Sequence, residues 1–305
     1  MLLKENIPFK YVFGKIRREV VLITLYVTII TLIHKSLHLD ISIPVSVPMI
    51  LGTVISLLLA FRANQSYDRW WEARIIWGAI VNDSRSIARQ TVSFIDSAFD
   101  SEEKSKLEHR IINRQIAWAH SLGRSLRKQG TDKDLGKWVS NHDLDFVARF
   151  NNTPMALLEL QARDIKYALD NDWINAYQHV EMDRMLSNFS DHMGKAERIK
   201  NTVFPATFGL YLHLAMNLFI MLLPFALIED FGWVMIPLVT AIASAFWLIE
   251  KMSIHLQDPF ENKPTDTPMT TIAQTIERDL NQVLRQHNIA HNAPVEAKAE
   301  YYYVL

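Results

Sequence analysis

Residues 41–61 read ISIPVSVPMILGTVISLLLAF, and after Asp40 the next formal charge is Arg62. A helix needs about 20 apolar residues to cross the hydrocarbon of a bilayer, and this run supplies them. Three further runs resemble it. Asn201 to Ile228 and Phe231 to Ile249 carry no charge. Val20 to Ile33 is almost purely β-branched residues and leucine, and extends to Leu39 if Lys35 snorkels. Four such runs exceed what the core of a soluble chain requires. The fold class they predict is an all-α integral membrane protein with four transmembrane helices and a large helical cytoplasmic region.

Composition removes other classes. The 305 residues are 49% hydrophobic and 21% charged, with net charge −1 and no cysteine. That excludes a disordered chain, a disulfide framework and thiolate metal sites. A near-zero charge argues against a nucleic-acid partner, which calls for a basic surplus. The closest glycines, Gly130 and Gly136, are spaced wrongly for a dinucleotide fingerprint or a P-loop. Gly123-Arg124-Ser125-Leu126-Arg127 lacks the second glycine of a nucleophile elbow. His34/His38 and His287/His291 have metal-compatible spacing but no third ligand in view. Neither an enzyme nor a cofactor is expected.

Basic residues set the orientation. Lys4, Lys10, Lys15, Arg17 and Arg18 precede the first run, whereas only Lys35 separates the first two. Glu229 and Asp230 separate the last two. Both termini and the segment between Arg62 and Lys200 are therefore expected in the cytoplasm, with the short loops outside. No small-x-small cleavage site follows the first run, so it reads as one arm of a transmembrane hairpin.

The middle segment reads as helices. Arg62 to Asp96 continues the second span without a breaker. Leu107, Ile111, Ile112, Ile116 and Ala119 share one face of a helix over Lys104–Lys128. Thr153-Pro154 reads as a cap followed by proline in the first turn. Asp170-Asn171-Asp172 opens a helix to about His192, and Thr267-Pro268 starts another. Trp70, Trp71 and Trp77 begin roughly 12 Å past the apolar end at 1.5 Å per residue. That is deep for an interfacial belt, and packing of a cytoplasmic helix is at least as good an account.

The second run carries two stripes at i, i+4, i+8. Gly52, Ser56 and Ala60 are small, which suits close helix packing or contact between copies of the chain. Thr53, Leu57 and Phe61 lie beside them and suit a hydrophobic constriction. Helical spacing alone leaves ordinary packing and a constriction equally open.

Tyr67-Asp68-Arg69-Trp70-Trp71-Glu72, with Leu51-Gly52, Ala60-Phe61-Arg62 and Trp77-Gly78, resembles the bestrophins, specifically their bacterial branch. Asn201-Thr202-Val203-Phe204-Pro205 and Gln257-Asp258-Pro259-Phe260 fit as well, and the resemblance covers roughly Lys10 to Arg285. It implies a homopentameric ion channel with one central pore, whose partners are further copies of the chain, membrane lipids and permeant monovalent ions. It implies a neck of three rings, at Thr53, Leu57 and Phe61; Thr53 departs from the apolar family pattern and would be easier to wet. It implies a second, cytoplasmic aperture at Tyr177, with Val180 and Ile174 as alternatives. The calcium clasp of eukaryotic members would fall at residues 261–267, where Lys263 and Pro264 interrupt the acids. Asp258, Glu261 and Asp266 are weak metal candidates there, and no metal is expected.

The organisation that follows has a cytoplasmic N-terminal segment (1–19) and a transmembrane hairpin (20–63) whose second span lines the pore. A cytoplasmic helical region (64–200), spans 3 and 4 (201–250) and a cytoplasmic C-terminal segment and tail (251–305) complete it. The expected location is the bacterial inner membrane, multi-pass. An outer acidic rim of Asp40, Glu229 and Asp230 favours cations, so the expected function is conduction of monovalent cations, sodium foremost. The alternatives are an anion channel like the eukaryotic bestrophins and, from a different class, a membrane-anchored sensor or structural protein.

Overall fold

The computed structural model describes residues 14–37, 41–95, 101–130, 134–202 and 205–284. Their helices are α1 (Arg17–Leu37), α2 (Ser46–Phe94), α3 (Ser101–Leu126), α4 (Asn141–Val147), α5 (Thr153–Asp170), α6 (Ala176–Asn201), α7 (Ala206–Phe231), α8 (Met235–Gln257) and α9 (Met269–Val283). Among the described residues there is no strand. Among the described residues, three helical stretches are long and apolar enough to cross a bilayer: Arg17–Leu37, Ser46–Phe94 and Ala206–Gln257. The third is broken at Gly232, whose φ of 49° is a conformation that side chains with a Cβ rarely adopt. The break lets α7 and α8 fold back and pack on each other. The second runs without interruption past Arg62, as the absence of breakers predicts.

The chain divides into two compact units at Trp70/Trp71, Thr202/Val203 and Asp258/Pro259. The first and last of these divisions fall several residues beyond the ends of the apolar runs, where Arg69 still contacts Gln257. One unit holds α1, the first part of α2, α7 and α8. Polar and close contacts set its register. Helix α2 runs antiparallel to α7: the Ile43 N–H donates to the Phe225 carbonyl at 3.1 Å, and Gly52 meets the Phe219 ring, which a Cβ at 52 would approach to 3.0 Å. It runs parallel to α8, where Arg69 Nε donates to the Gln257 carbonyl at 2.8 Å. Helix α1 lies antiparallel to α8: Glu19 pairs with Lys251 at 3.4 Å, the Thr24 and Thr240 hydroxyls meet at 3.3 Å, and Lys35 Nζ stands 5.0 Å over the Trp233 ring. Ile23, Val27, Ile55, Leu59, Met216 and Val239 fill the space between.

The other unit is built around α3, which packs against α5, α6 and α9. Leu107, Ile111, Ile112, Ile116 and Ala119 are all buried, as their spacing predicts. Trp77 is fully buried in this core, which bears out packing rather than a headgroup belt for that residue; Trp71 is half exposed. Two helix starts differ from expectation. Asn152, not Thr153, caps α5, its side chain accepting from the Met155 N–H at 3.1 Å. Helix α6 starts at Ala176 rather than near Asp172, because Asn175 and Gln178 form a reciprocal capping box. It also continues past His192 to Asn201.

Two polar networks tie this unit together. Arg114, on α3, is buried and donates to Asp143 on α4 at 2.7 and 3.2 Å, to the Leu160 carbonyl at 2.9 Å and to Asp164 on α5. Burial pushes the Asp164 carboxyl above its ordinary range, against the opposing pull of Arg110 and Arg114. The second network anchors α9. His120 stacks on Trp138 with centroids 4.5 Å apart. His120 Nε2 lies 3.0 Å from one Glu277 oxygen, and Trp138 Nε1 donates to the other at 3.3 Å.

Removing one member of a buried ion network strands its partners, at a cost of roughly 3–5 kcal/mol. Arg114→Met is therefore expected to lower thermal stability by that order, measured as the melting transition of the detergent-solubilised protein. An unchanged transition would contradict this role. Glu277 gives a pH test. Its hydrogen bond to His120 outweighs burial and holds its carboxyl below the ordinary value of 4.5. A depressed carboxyl contributes stability that is present above 4.5 and is lost as pH falls through the lower folded value. Between 4.5 and that lower value the melting temperature should fall more steeply in the wild type than in Glu277→Gln.

Candidate functional site

The second apolar run forms the first half of α2, and the packing of that half sorts its residues by face. Ile55, Leu59, Arg62 and Ser66 turn inward and are buried. Thr53, Leu57 and Phe61 turn outward; Leu57 is 58% exposed and Phe61 55%. Two large apolar side chains one turn apart are left without cover from their own chain. The Thr53 hydroxyl donates to the Met49 carbonyl at 2.8 Å, so its proton is spent on its own helix. What it presents outward is a methyl group and an acceptor oxygen. The small stripe is divided: Gly52 is used within the chain, against Phe219, while Ser56 and Ala60 are exposed.

Beneath Phe61 lies a buried ion cluster that charge patterning did not reveal. Arg62 Nη1 stands 3.9 Å from Glu250 Oε1, and both side chains are buried. His213 Nδ1 contacts the same carboxylate at 3.0 and 3.2 Å. Gly209 lies against the guanidinium: a Cβ there would stand 3.5 Å from it, at ordinary contact distance. Arg62 and Glu250 each stand at the edge of a charge-free run, and that position was the available signal. Their pairing needs the parallel register of α2 and α8. A pocket of about 310 Å³ opens beside the cluster, lined by Leu58, Phe61, Arg62, Gln65, Pro205 and Phe208.

Glu229 and Asp230 are exposed at the C-terminal end of α7, and Asp40 lies outside the described residues. That helix end disfavours negative charge, so helix stability does not account for the two acids. Lys35, in the last turn of α1, is held over Trp233, three residues beyond Asp230, and brings one positive charge to that turn.

Of the residues proposed for a cytoplasmic aperture, Tyr177 is 87% exposed and Val180 62%, both on the first turns of α6. Ile174 is only 3% exposed and belongs to the core. That corrects its place among the alternatives, since a side chain buried within its own chain cannot line an opening. The metal candidates do not converge. Glu261 is paired with Lys263, and buried Asp266 accepts the Lys263 N–H at 2.9 Å, closing its own loop. Asp258 ends α8. Among the described residues no three histidine, aspartate or glutamate side chains gather as a metal site. His38, His287 and His291 lie outside the described residues.

Comparison with known proteins agrees with this architecture. A family model described as Bacterial/Fungal Bestrophin protein matches residues 9–282. A relative named voltage-dependent anion channel-forming protein alr2987, from Nostoc sp., is 27% identical over 295 residues, covering 93% of this chain and 94% of its own. The protein of Escherichia coli K12 named voltage-dependent anion channel-forming protein YneE is 31% identical over 235 residues, covering 77% and 75%. A crystal structure of a bacterial bestrophin homolog from Klebsiella pneumoniae, in a mutant form, superposes with a TM-score of 0.82 at 26% identity, covering 89% of this chain and 100% of that one. With most of its length matched in both sequence and fold, this chain belongs to the bacterial/fungal bestrophin family.

Proposed function

We propose that this protein is a homopentameric ion channel of the bacterial inner membrane, conducting monovalent cations, sodium foremost, through a central pore. In this reading α1, the first half of α2, α7 and α8 cross the bilayer four times, and both termini are cytoplasmic. The observation that carries it is the outward stripe Thr53–Leu57–Phe61. On one chain it is an exposed apolar surface on the side of α2 opposite the buried Ile55, Leu59, Arg62 and Ser66. Copies arranged about an axis would turn it into stacked rings, a hydrophobic neck able to control conduction by dewetting. Tyr177 and Val180 are the candidates for a second, cytoplasmic constriction.

The sign of the permeant ion rests on Glu229 and Asp230, to which Asp40 adds if it shares their rim. Acidic rings at a pore mouth raise the local cation concentration. One observation favours a second reading, an anion channel: the relatives from Nostoc and Escherichia coli carry the name of anion-channel-forming proteins. Lys35, near the end of α1 and held over Trp233, offsets part of their charge.

The purified protein in a planar bilayer under a sodium chloride gradient separates the two. A reversal potential near the sodium equilibrium value is expected, and one near the chloride value would overturn the cation assignment while leaving the neck in place. Phe61→Ala should widen the neck and raise single-channel conductance roughly two- to tenfold. Unchanged conductance would remove Phe61 from the pore axis.

A further inference from the structure

The exposed stripe of α2 does not stop at Phe61. Successive steps of three and four residues carry the same face to Asn64 and then Asp68, both exposed. Asp68 is seven residues beyond Phe61, roughly 10 Å along the axis at 1.5 Å per residue. The charges around it are otherwise engaged. Arg62 meets Glu250, Arg69 donates to the Gln257 carbonyl, and Glu72 pairs with Arg198. Asp68 makes no hydrogen bond or ion pair with any described residue. A carboxylate left in this state, on the face that carries the neck, is not serving the fold of its own chain.

We propose that Asp68 is a selectivity-determining residue of the conduction pathway, forming a carboxylate ring on the side of the neck away from Thr53. This rests on the reading of the Thr53–Leu57–Phe61 face as pore-lining and extends that face by two turns. The apolar rings cannot distinguish the sign of an ion, because methyl and phenyl groups carry no net charge. A ring of Asp68 carboxylates can: it concentrates cations at the mouth of the neck and repels anions before either must shed water. Helix α2 thereby divides the task along one face, with Leu57 and Phe61 limiting the hydrated size and Asp68 setting the sign. The effect is one of local potential, so it should weaken as the Debye length falls from about 10 Å at 0.1 M salt to about 3 Å at 1 M.

The test is bilayer recording of Asp68→Asn and Asp68→Glu beside Phe61→Ala. The Asn substitution is expected to lower the sodium-to-chloride permeability ratio on the order of threefold at 0.1 M salt and much less at 1 M. Asp68→Glu should keep the wild-type ratio. The absence of cysteine adds a second readout. In Asp68→Cys, an anionic methanethiosulfonate should restore cation preference and a cationic one should reverse it. An unchanged ratio in Asp68→Asn, or a silent variant that assembles normally, overturns the assignment. If Phe61→Ala raises conductance while Asp68→Asn changes nothing, only the Asp68 assignment falls. If neither variant alters conduction, the pore-lining reading of the face falls with it.

Discussion

The guanidinium of Arg62 sets the rotation of α2 and, through it, everything the helix presents outward. A charge at the edge of an apolar run cannot be buried alone. Here it meets Glu250 from α8, which also contacts His213 from α7. With Arg62 turned inward, Ile55, Leu59 and Ser66 follow it on the same face. Leu57 and Phe61 are then obliged to point away from their own chain. The exposed apolar face is a geometric consequence of where one ion pair is buried.

The second unit solves its polar problem differently. Arg114 is buried among carboxylates from α4 and α5 and a main-chain carbonyl, so several donors of one side chain are satisfied by separate elements. Such an arrangement stabilises little relative to an apolar core but penalises misplacement strongly. It specifies how the short α4 docks, for which seven residues offer little hydrophobic area. The anchoring of α9 is of the same kind, with Glu277 shared between His120 and Trp138.

The membrane class, the long uninterrupted α2 and the buried face of α3 were legible because each depends on periodicity and on the absence of charge or breakers over many residues. Helix starts were less legible. Asn152 and Asn175 displaced the expected starts of α5 and α6, since a cap is decided by a single side-chain hydrogen bond and several nearby residues could make it. Ile174 shows the limit for site residues. It lies close to Tyr177 in the chain, yet one is buried and the other almost fully exposed, a distinction that rests on which way the chain turns before α6.

The sequence by itself determined that four apolar runs carry no formal charge, that Thr53, Leu57 and Phe61 share a stripe, and that no thiol chemistry is present. Those are properties of spacing and composition, which a chain carries before it folds. Tertiary structure alone decided that this stripe faces outward, that Gly52 is spent on Phe219 within the chain, and that Arg62, His213 and Glu250 form one cluster. Those depend on the register between helices far apart in sequence. That register is fixed by burial and pairing of groups whose partners no local pattern names.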